Sequence, residues 1–553
     1  MNRSGGQILV DQLVAHGTEL AFGVPGESYL AVLDALHDAP LRFIATRHEA
    51  GAANMAEAYG KLTGRPGVCL VTRGPGATHA SVGVHTAFQD STPMLLLVGQ
   101  VARGTMGREG FQELDYRQVF GPIAKWATQV DEAARLPEVI ARAYAVACSG
   151  RPGPVVIALP EDMLAEQADV EDAARAGVAS ASPGAEELAR LREELSAAQR
   201  PLLVVGEGGW TAQAGADIVA FAEAAGVPVA TSFRCQDYVD NDAPVYAGHA
   251  AIGMAPALAR RLTEADVLVA VGGRIGDIPS AGYTLLEIPR PRQRLVHVHP
   301  DPDELGAVYQ PALGIVSGLP QFAAAARALP APGGAAARAA RVAQARADYE
   351  ANLAEHRELP GALQMAGVMA VLRDRLGSEA ILTCGAGNFT VWAHRYYAFR
   401  RYPTQLAPRS GAMGYGFPAA VAAKALHPDR PVVCIAGDGD FLMTGQELAT
   451  AVQEQLPVVV LVVNNGMYGT IRMHQERHFP GRVVGTDLVN PDFVAYARAF
   501  GAHGALVERT EDFAAAFEEA LAAGRPALLE LRVDPEALTP RQTLSEIRAA
   551  ASG

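Results

Sequence analysis

Gly437-Asp438-Gly439-Asp440 and Asn464-Asn465 are the residues of this chain best suited to chemistry, because an acid among glycines and a distant amide can hold a metal against phosphate. The apolar run Pro431 to Ala436 reads as a buried strand, Gln446 to Glu454 as a helix and Val458 to Val463 as a second buried strand. In such a βαβ unit the right-handed crossover brings both strand carboxyl ends to one edge of a parallel sheet. Asp438 and Asn465 then stand side by side despite their separation in sequence. Glycines at 437 and 439 let the backbone approach a phosphate closely, and the helix start that follows offers it free N–H groups. A carboxylate, an amide oxygen and a backbone carbonyl suit Mg²⁺, with phosphate oxygens and water completing an octahedral shell. Gly-Asp-Gly alone reads as an acidic turn; the strands and the paired asparagines make it a candidate diphosphate and metal site. A helix-loop-helix calcium loop does not fit, since its alternating oxygen ligands and central glycine are missing.

Three segments near the amino terminus share another pattern, a strand end followed by a turn and a helix start. They are Phe22 to Glu27, which includes Pro25 and Gly26, then Arg47 to Ala53, and Thr72 to Thr78, which includes Gly76. Glu49 stands at the second helix start, where the helix dipole favours any acid.

These elements need scaffolds, and the 553 residues exceed what one core can hold, so two to four domains are expected. Ala/Pro/Gly-rich stretches at Ala173 to Gly184 and Pro330 to Ala340 suggest three, spanning 1–172, 185–330 and 360–553. Strand-like runs such as Met94 to Val98, Leu202 to Val205 and Val267 to Val271 alternate with helices, so the fold class is α/β, with three doubly wound parallel-sheet domains. The Ala-rich 333–347 segment reads as linker plus helix. With 49% hydrophobic and 19% charged residues the composition is that of a globular protein, and a net charge of −14 argues against nucleic-acid binding. Five scattered cysteines without metal-ligand spacing fit a reduced, cytoplasmic setting. The start at Met1-Asn2-Arg3 leads into an amphipathic helix with no signal-type segment, and no run is long enough to span a membrane.

The Gly437 to Asn465 pattern resembles the thiamine diphosphate (ThDP) motif of the enzyme family containing acetolactate synthase, pyruvate oxidase and benzoylformate decarboxylase, and the resemblance covers nearly the whole chain. It implies pyrimidine-binding, central nucleotide-binding-like and diphosphate-binding domains in that order. It implies Asp438, Asn465 and the Met467 carbonyl as Mg²⁺ ligands. By the same resemblance Pro25, Gly26, Thr72, Gly76, Gly411, Gly437, Gly439, Asp440, Tyr468, Gly469, Thr470 and Ile471 contact the cofactor, Met413 bends it, and Glu49 holds a pyrimidine nitrogen to activate it. Glu49 and Asp438 act together across a dimer interface in this family, so a homodimer or homotetramer is expected.

Gly99-Gln100-Val101, Phe111-Gln112-Glu113, Lys125-Trp126 and Gln446-Glu447-Leu448-Ala449-Thr450 resemble the acetolactate synthase branch, which makes Gln112 a candidate catalytic residue. Gly248-His249, Val271 to Arg274 and Val296 to Asp301 resemble its FAD-holding segments, with Arg274 and Asp301 as contacts; relatives bind FAD, ADP or nothing there. Other positions depart from that branch. Ile278 stands where a second arginine is expected, Glu161 replaces a lysine, and His474 takes the place of a pocket tryptophan. Each lost charge-assisted contact to an anionic acceptor is worth roughly 1.5–3 kcal/mol. Glu27 replaces a glycine of the synthases and is expected to handle protons or to filter substrates, the alternative being a first-turn acid. His474 is a second acid/base candidate. The resemblance thus implies a lyase or carboligase for a 2-keto acid, diketone or aldehyde. A pyruvate-oxidase-like flavoenzyme, a diketone hydrolase and a non-catalytic cofactor binder are the alternatives.

Overall fold

The computed structural model describes residues 2–552, so Met1 and Gly553 lie outside the described residues. Three six-stranded sheets, each parallel throughout, dominate the fold. The first orders its strands Arg42–Ala45, Leu20–Gly23, Gly67–Val71, Met94–Gln100, Pro154–Pro160, Trp126–Gln129. The third repeats that plan with Gln405–Leu406, Ile381–Cys384, Val432–Gly437, Val459–Asn464, Ala527–Arg532, His503–Val507. In both, the chain starts inside the sheet, steps one way to its second strand and then crosses back to its third. The central sheet runs Tyr246–Ala250, Val229–Ser232, Leu202–Val205, Val267–Val271, Arg294–His299, Leu313–Val316, the dinucleotide-fold order.

This topology decides where ligands can bind. In an open α/β sheet a crevice forms outside the carboxyl ends of the strands on either side of the reversal. In the third sheet those strands are Ile381–Cys384 and Val432–Gly437, and Asp438 follows the second of them. In the first sheet they are Leu20–Gly23 and Gly67–Val71, followed by Gly26 and Thr72. Inner strands covered by helices on both faces must be apolar on both sides, which is why Val432–Gly437 and Gly67–Val71 are buried at every position.

The first and third sheets share one core. Helices Glu49–Thr63 and Gly416–Leu426 meet through buried Ala52, Ala53, Ala56, Ala419, Ala420 and Ala423, whose small side chains allow close approach. At the end of this contact Glu447 accepts the Arg47 backbone N–H through both carboxylate oxygens, at 3.1 and 3.2 Å.

The 3₁₀ turn Gly445–Glu447 precedes helix Leu448–Gln453, so the helix expected from Gln446 is tightened in its first turn. The Ala-rich stretch forms a long helix, Ala335–Ala354, that buries Arg338, Ala345 and Tyr349. Cys148 is half-buried, whereas Cys69, Cys384 and Cys434 are core residues. Among the described residues no helix is long and apolar enough to cross a membrane.

Candidate active site

Asp438 opens a short helix, Asp438–Phe441, directly after its strand, and the register Gly437↔Val463 brings it beside Asn464 and Asn465. Its Oδ2 accepts the Gly466 N–H at 2.9 Å and the Asn490 side-chain amide at 2.7 Å. The same Asn490 amide reaches Asn464 Oδ1 at 2.9 Å. Burial raises the Asp438 carboxyl above its ordinary range, a condition that a bound cation would reverse. Asp440 is equally buried and pushed up to about 7 by burial. Its Oδ1 accepts the Ala386 and Gly414 N–H groups at 3.0 and 2.9 Å, so it braces two loops.

A cavity of about 230 Å³ opens over these residues. Gly411, Met413, Gly437, Asp438, Gly439, Asp440, Asn465, Met467, Tyr468, Gly469, Thr470 and Ile471 all line it, so the structure gathers the expected diphosphate-side residues in one place. Met413 projects between Gly411 and Gly414, whose φ values of 71° and 76° lie where only glycine is unstrained. The Asp438 carboxylate, the Asn465 amide oxygen and the Met467 carbonyl are hard oxygen donors, the set that Mg²⁺ takes, and the short helix start beside them suits a diphosphate. The residues present therefore fit both groups.

Two members of this site carry no motif of their own. Asn490 is 52 positions from Asp438, in an irregular segment just before helix Phe493–Ala499. Asn388 donates its backbone N–H to Thr470 Oγ1 at 3.0 Å and accepts that hydroxyl at 2.9 Å. Partners that orient a metal ligand are typically worth about 10–100-fold in metal affinity. Asn490→Ala is accordingly expected to weaken Mg²⁺-dependent cofactor binding by about that factor with little change in fold, measured by titrating ThDP at fixed Mg²⁺.

The amino-terminal sheet presents a second cluster. Glu49 is the first residue of its helix and is largely buried, with Oε2 3.0 Å from His79 Nδ1. Gly26 and Thr72 close the neighbouring strand ends, where Ser28 Oγ and Thr72 Oγ1 are 2.9 Å apart, and Pro25 is exposed beside them. Arg73, between Thr72 and the helix start at Gly74, is the hub of this face. Its Nη1 donates to Glu27 Oε1 at 2.8 Å and its Nη2 to Glu161, while the guanidinium itself is buried. The Gln112 carbonyl accepts the N–H of the adjoining Gly74 at 2.9 Å. Glu161, the acid that replaces a lysine, is thus paired with Arg73, which it shares with Glu27.

Other expected residues lie apart. His474 is exposed on helix Gly469–His478, stacked on His478, and does not line the cavity, because it stands a full turn beyond Thr470 and the cavity reaches only the first residues of that helix. Burial, Arg477 and His478 hold it below the ordinary histidine range. Arg274 lines a cavity of about 600 Å³ at the reversal of the central sheet, together with Ile278 and His297. Its Nε donates to Glu207 Oε2 at 2.7 Å, so its charge is already matched. Asp301 does not reach that cavity; it caps the Asp303 N–H and lies near Gly150.

The chain matches three family models: "Thiamine pyrophosphate enzyme, N-terminal TPP binding domain" over residues 3–119, "central domain" over 188–326 and "C-terminal TPP binding domain" over 385–531. It is 34% identical over 535 residues to the acetolactate synthase isozyme 2 large subunit of Escherichia coli K12, covering 96% of each chain. It is 34% identical over 548 residues to the acetolactate synthase large subunit of Parasynechococcus marenigrum, covering 96% of this chain and 87% of that one. The corresponding subunit of Corynebacterium glutamicum is 31% identical over 552 residues, with 97% and 87% covered.

Proposed function

This chain belongs to the thiamine pyrophosphate enzyme family and is a ThDP-dependent, acetolactate synthase-like enzyme, and we propose that it uses Mg²⁺ with ThDP to cleave or form the carbon–carbon bond beside a carbonyl of a 2-keto acid or diketone. The observation that carries the reading is the oxygen-donor set at Asp438, Asn465 and Met467, at the sheet reversal where a diphosphate belongs. When bound, ThDP supplies the carbon nucleophile and the electron sink. Asp438, Asn465 and the Met467 carbonyl hold the metal against the diphosphate. Met413, which lines the cavity between Gly411 and Gly414, would pack against the bound cofactor. Glu49 would hold a proton toward a ring nitrogen of the bound cofactor, from a buried position that keeps bulk water away.

The cavity that contains Asp438 has no lining residue from the amino-terminal sheet, and Glu49 does not reach it within one chain. That separation supports a homodimer or larger assembly in which Glu49 of one copy faces Asp438 of another. A fully active monomer in solution would overturn this arrangement.

Incubation with ThDP, Mg²⁺ and a panel of keto acids, diketones and aldehydes, with products identified by mass, tests the function. Carboligation or decarboxylation products are expected. Turnover of none of the panel, with ThDP bound, would overturn it. The large central cavity favours one second reading, a flavin-linked oxidation, which anaerobic bleaching of a flavin spectrum on adding substrate would establish.

Glu27 is assigned here to substrate discrimination, because its exposed carboxylate is anchored by Arg73 beside Gly26. Glu27→Gln is expected to shift the ratio of kcat/KM between anionic and neutral acceptors by about tenfold, the effect of one charge-assisted contact. An unchanged ratio would remove Glu27 from the pocket.

A further inference from the structure

We propose that His79 is the positioning residue for the Glu49 carboxylate, its imidazole tethering one oxygen so that the other is presented to the cofactor. The inference rests on the role given to Glu49 above. Helix Gly74–Asp90 carries both Gly76 and His79, one turn apart, so both face the start of the helix that Glu49 opens. His79 Nδ1 lies 3.0 Å from Glu49 Oε2. The other oxygen, Oε1, accepts no hydrogen bond among the described residues and lies beside Gly76, where a Cβ would stand 3.3 Å from it. Among the described residues His79 makes the one hydrogen bond to this carboxylate, and that bond requires the tautomer with hydrogen on Nδ1.

The surroundings leave this task to His79 alone. His48 lies against it, ring centroids 4.5 Å apart, but its Nδ1 is occupied by the Ala50 N–H at 3.1 Å. Burial, with the neighbouring His79, lowers the pKa of His48, so it packs as a neutral ring. The remaining titratable groups that sense Glu49 are Tyr29 and Cys69, both pushed up, first by burial, and neither carries charge. The ligand atoms of His48, Glu49 and His79 fall within 4.8 Å of one another. A glutamate has three side-chain torsions, and without the tether its carboxylate is free to leave the bearing from which it meets a ring nitrogen.

The test compares wild type, His79→Ala, His79→Asn and Glu49→Gln as holoenzymes. It reads the exchange of the thiazolium proton of bound ThDP for deuterium, by acid quench and NMR, beside ThDP affinity from fluorescence titration. His79→Ala is expected to slow exchange about 10–100-fold, the usual effect of a misplaced reacting group, with little change in affinity. His79→Asn, whose amide nitrogen can stand where Nδ1 stood, is expected to restore most of the rate. Wild-type exchange in His79→Ala, or equal slowing in both His79 variants, would overturn the assignment. Should Glu49→Gln exchange at the wild-type rate, the role of Glu49 itself fails. Slow exchange in Glu49→Gln with fast exchange in His79→Ala removes His79 alone.

Discussion

Glu49→Gln is expected to lose about 10²–10⁴-fold in turnover, the range that a positioned acid or base contributes, while folding normally. The side chain makes a single hydrogen bond, to His79, and an amide of the same shape can keep it. What the substitution removes is the negative charge at the first position of a helix and the carboxyl proposed to share a proton with the cofactor. The helix-dipole part amounts to about 0.3–1 kcal/mol of stability, small beside the catalytic loss. Melting temperature, ThDP affinity and kcat measured on one preparation separate the two effects. Retained turnover would refute the role of Glu49 in the reaction.

Asp438→Asn is expected to act in opposite directions on the empty and the loaded protein. With no cation bound, burial makes the charged carboxylate costly and raises its pKa. Such a group binds protons more tightly folded than unfolded, so its cost to stability grows as pH rises through the raised value. The neutral amide escapes that cost while its oxygen still accepts from Gly466 and Asn490. The metal-free variant should therefore be at least as stable as wild type at neutral pH, with the gain fading in acid. With cofactor the order reverses. A ligand present at 1,000 times its Kd stabilises a fold by about 4 kcal/mol, and the variant, lacking the metal's carboxylate, should gain almost none of it. Thermal melts with and without ThDP and Mg²⁺ give all four values, and equal cofactor-induced shifts in both proteins would show that Asp438 does not hold the metal.

Much of this site is legible in the sequence because its signals are local. Continuous apolar runs mark strands covered on both faces, and whatever follows such a run lies at a carboxyl edge. Asp438, Asn465, Thr72 and the helix start at Glu49 are all found this way, without knowledge of any contact. Even the shared core of the first and third sheets has a local trace in the alanines of helices Glu49–Thr63 and Gly416–Leu426.

Contacts between side chains far apart in the chain have no such trace, and the tertiary structure alone decided them. Asn490 reaches Asp438 and Asn464 because the loop after helix Gly469–His478 folds back over the sheet edge. Arg73 gathers Glu27 and Glu161 from two other strand ends, which holds two like-charged acids together through one shared cation. Asp301, read as a companion of Arg274, sits at a neighbouring strand end but points toward Gly150, outside the central cavity. His474 shares a helix face with Thr470 and still misses the cavity, since it lies one turn further along, about 6 Å beyond the residues that line it. Periodicity states which residues reach the sheet edge, whereas the order of the strands and the angle of each helix decide which of them meet there.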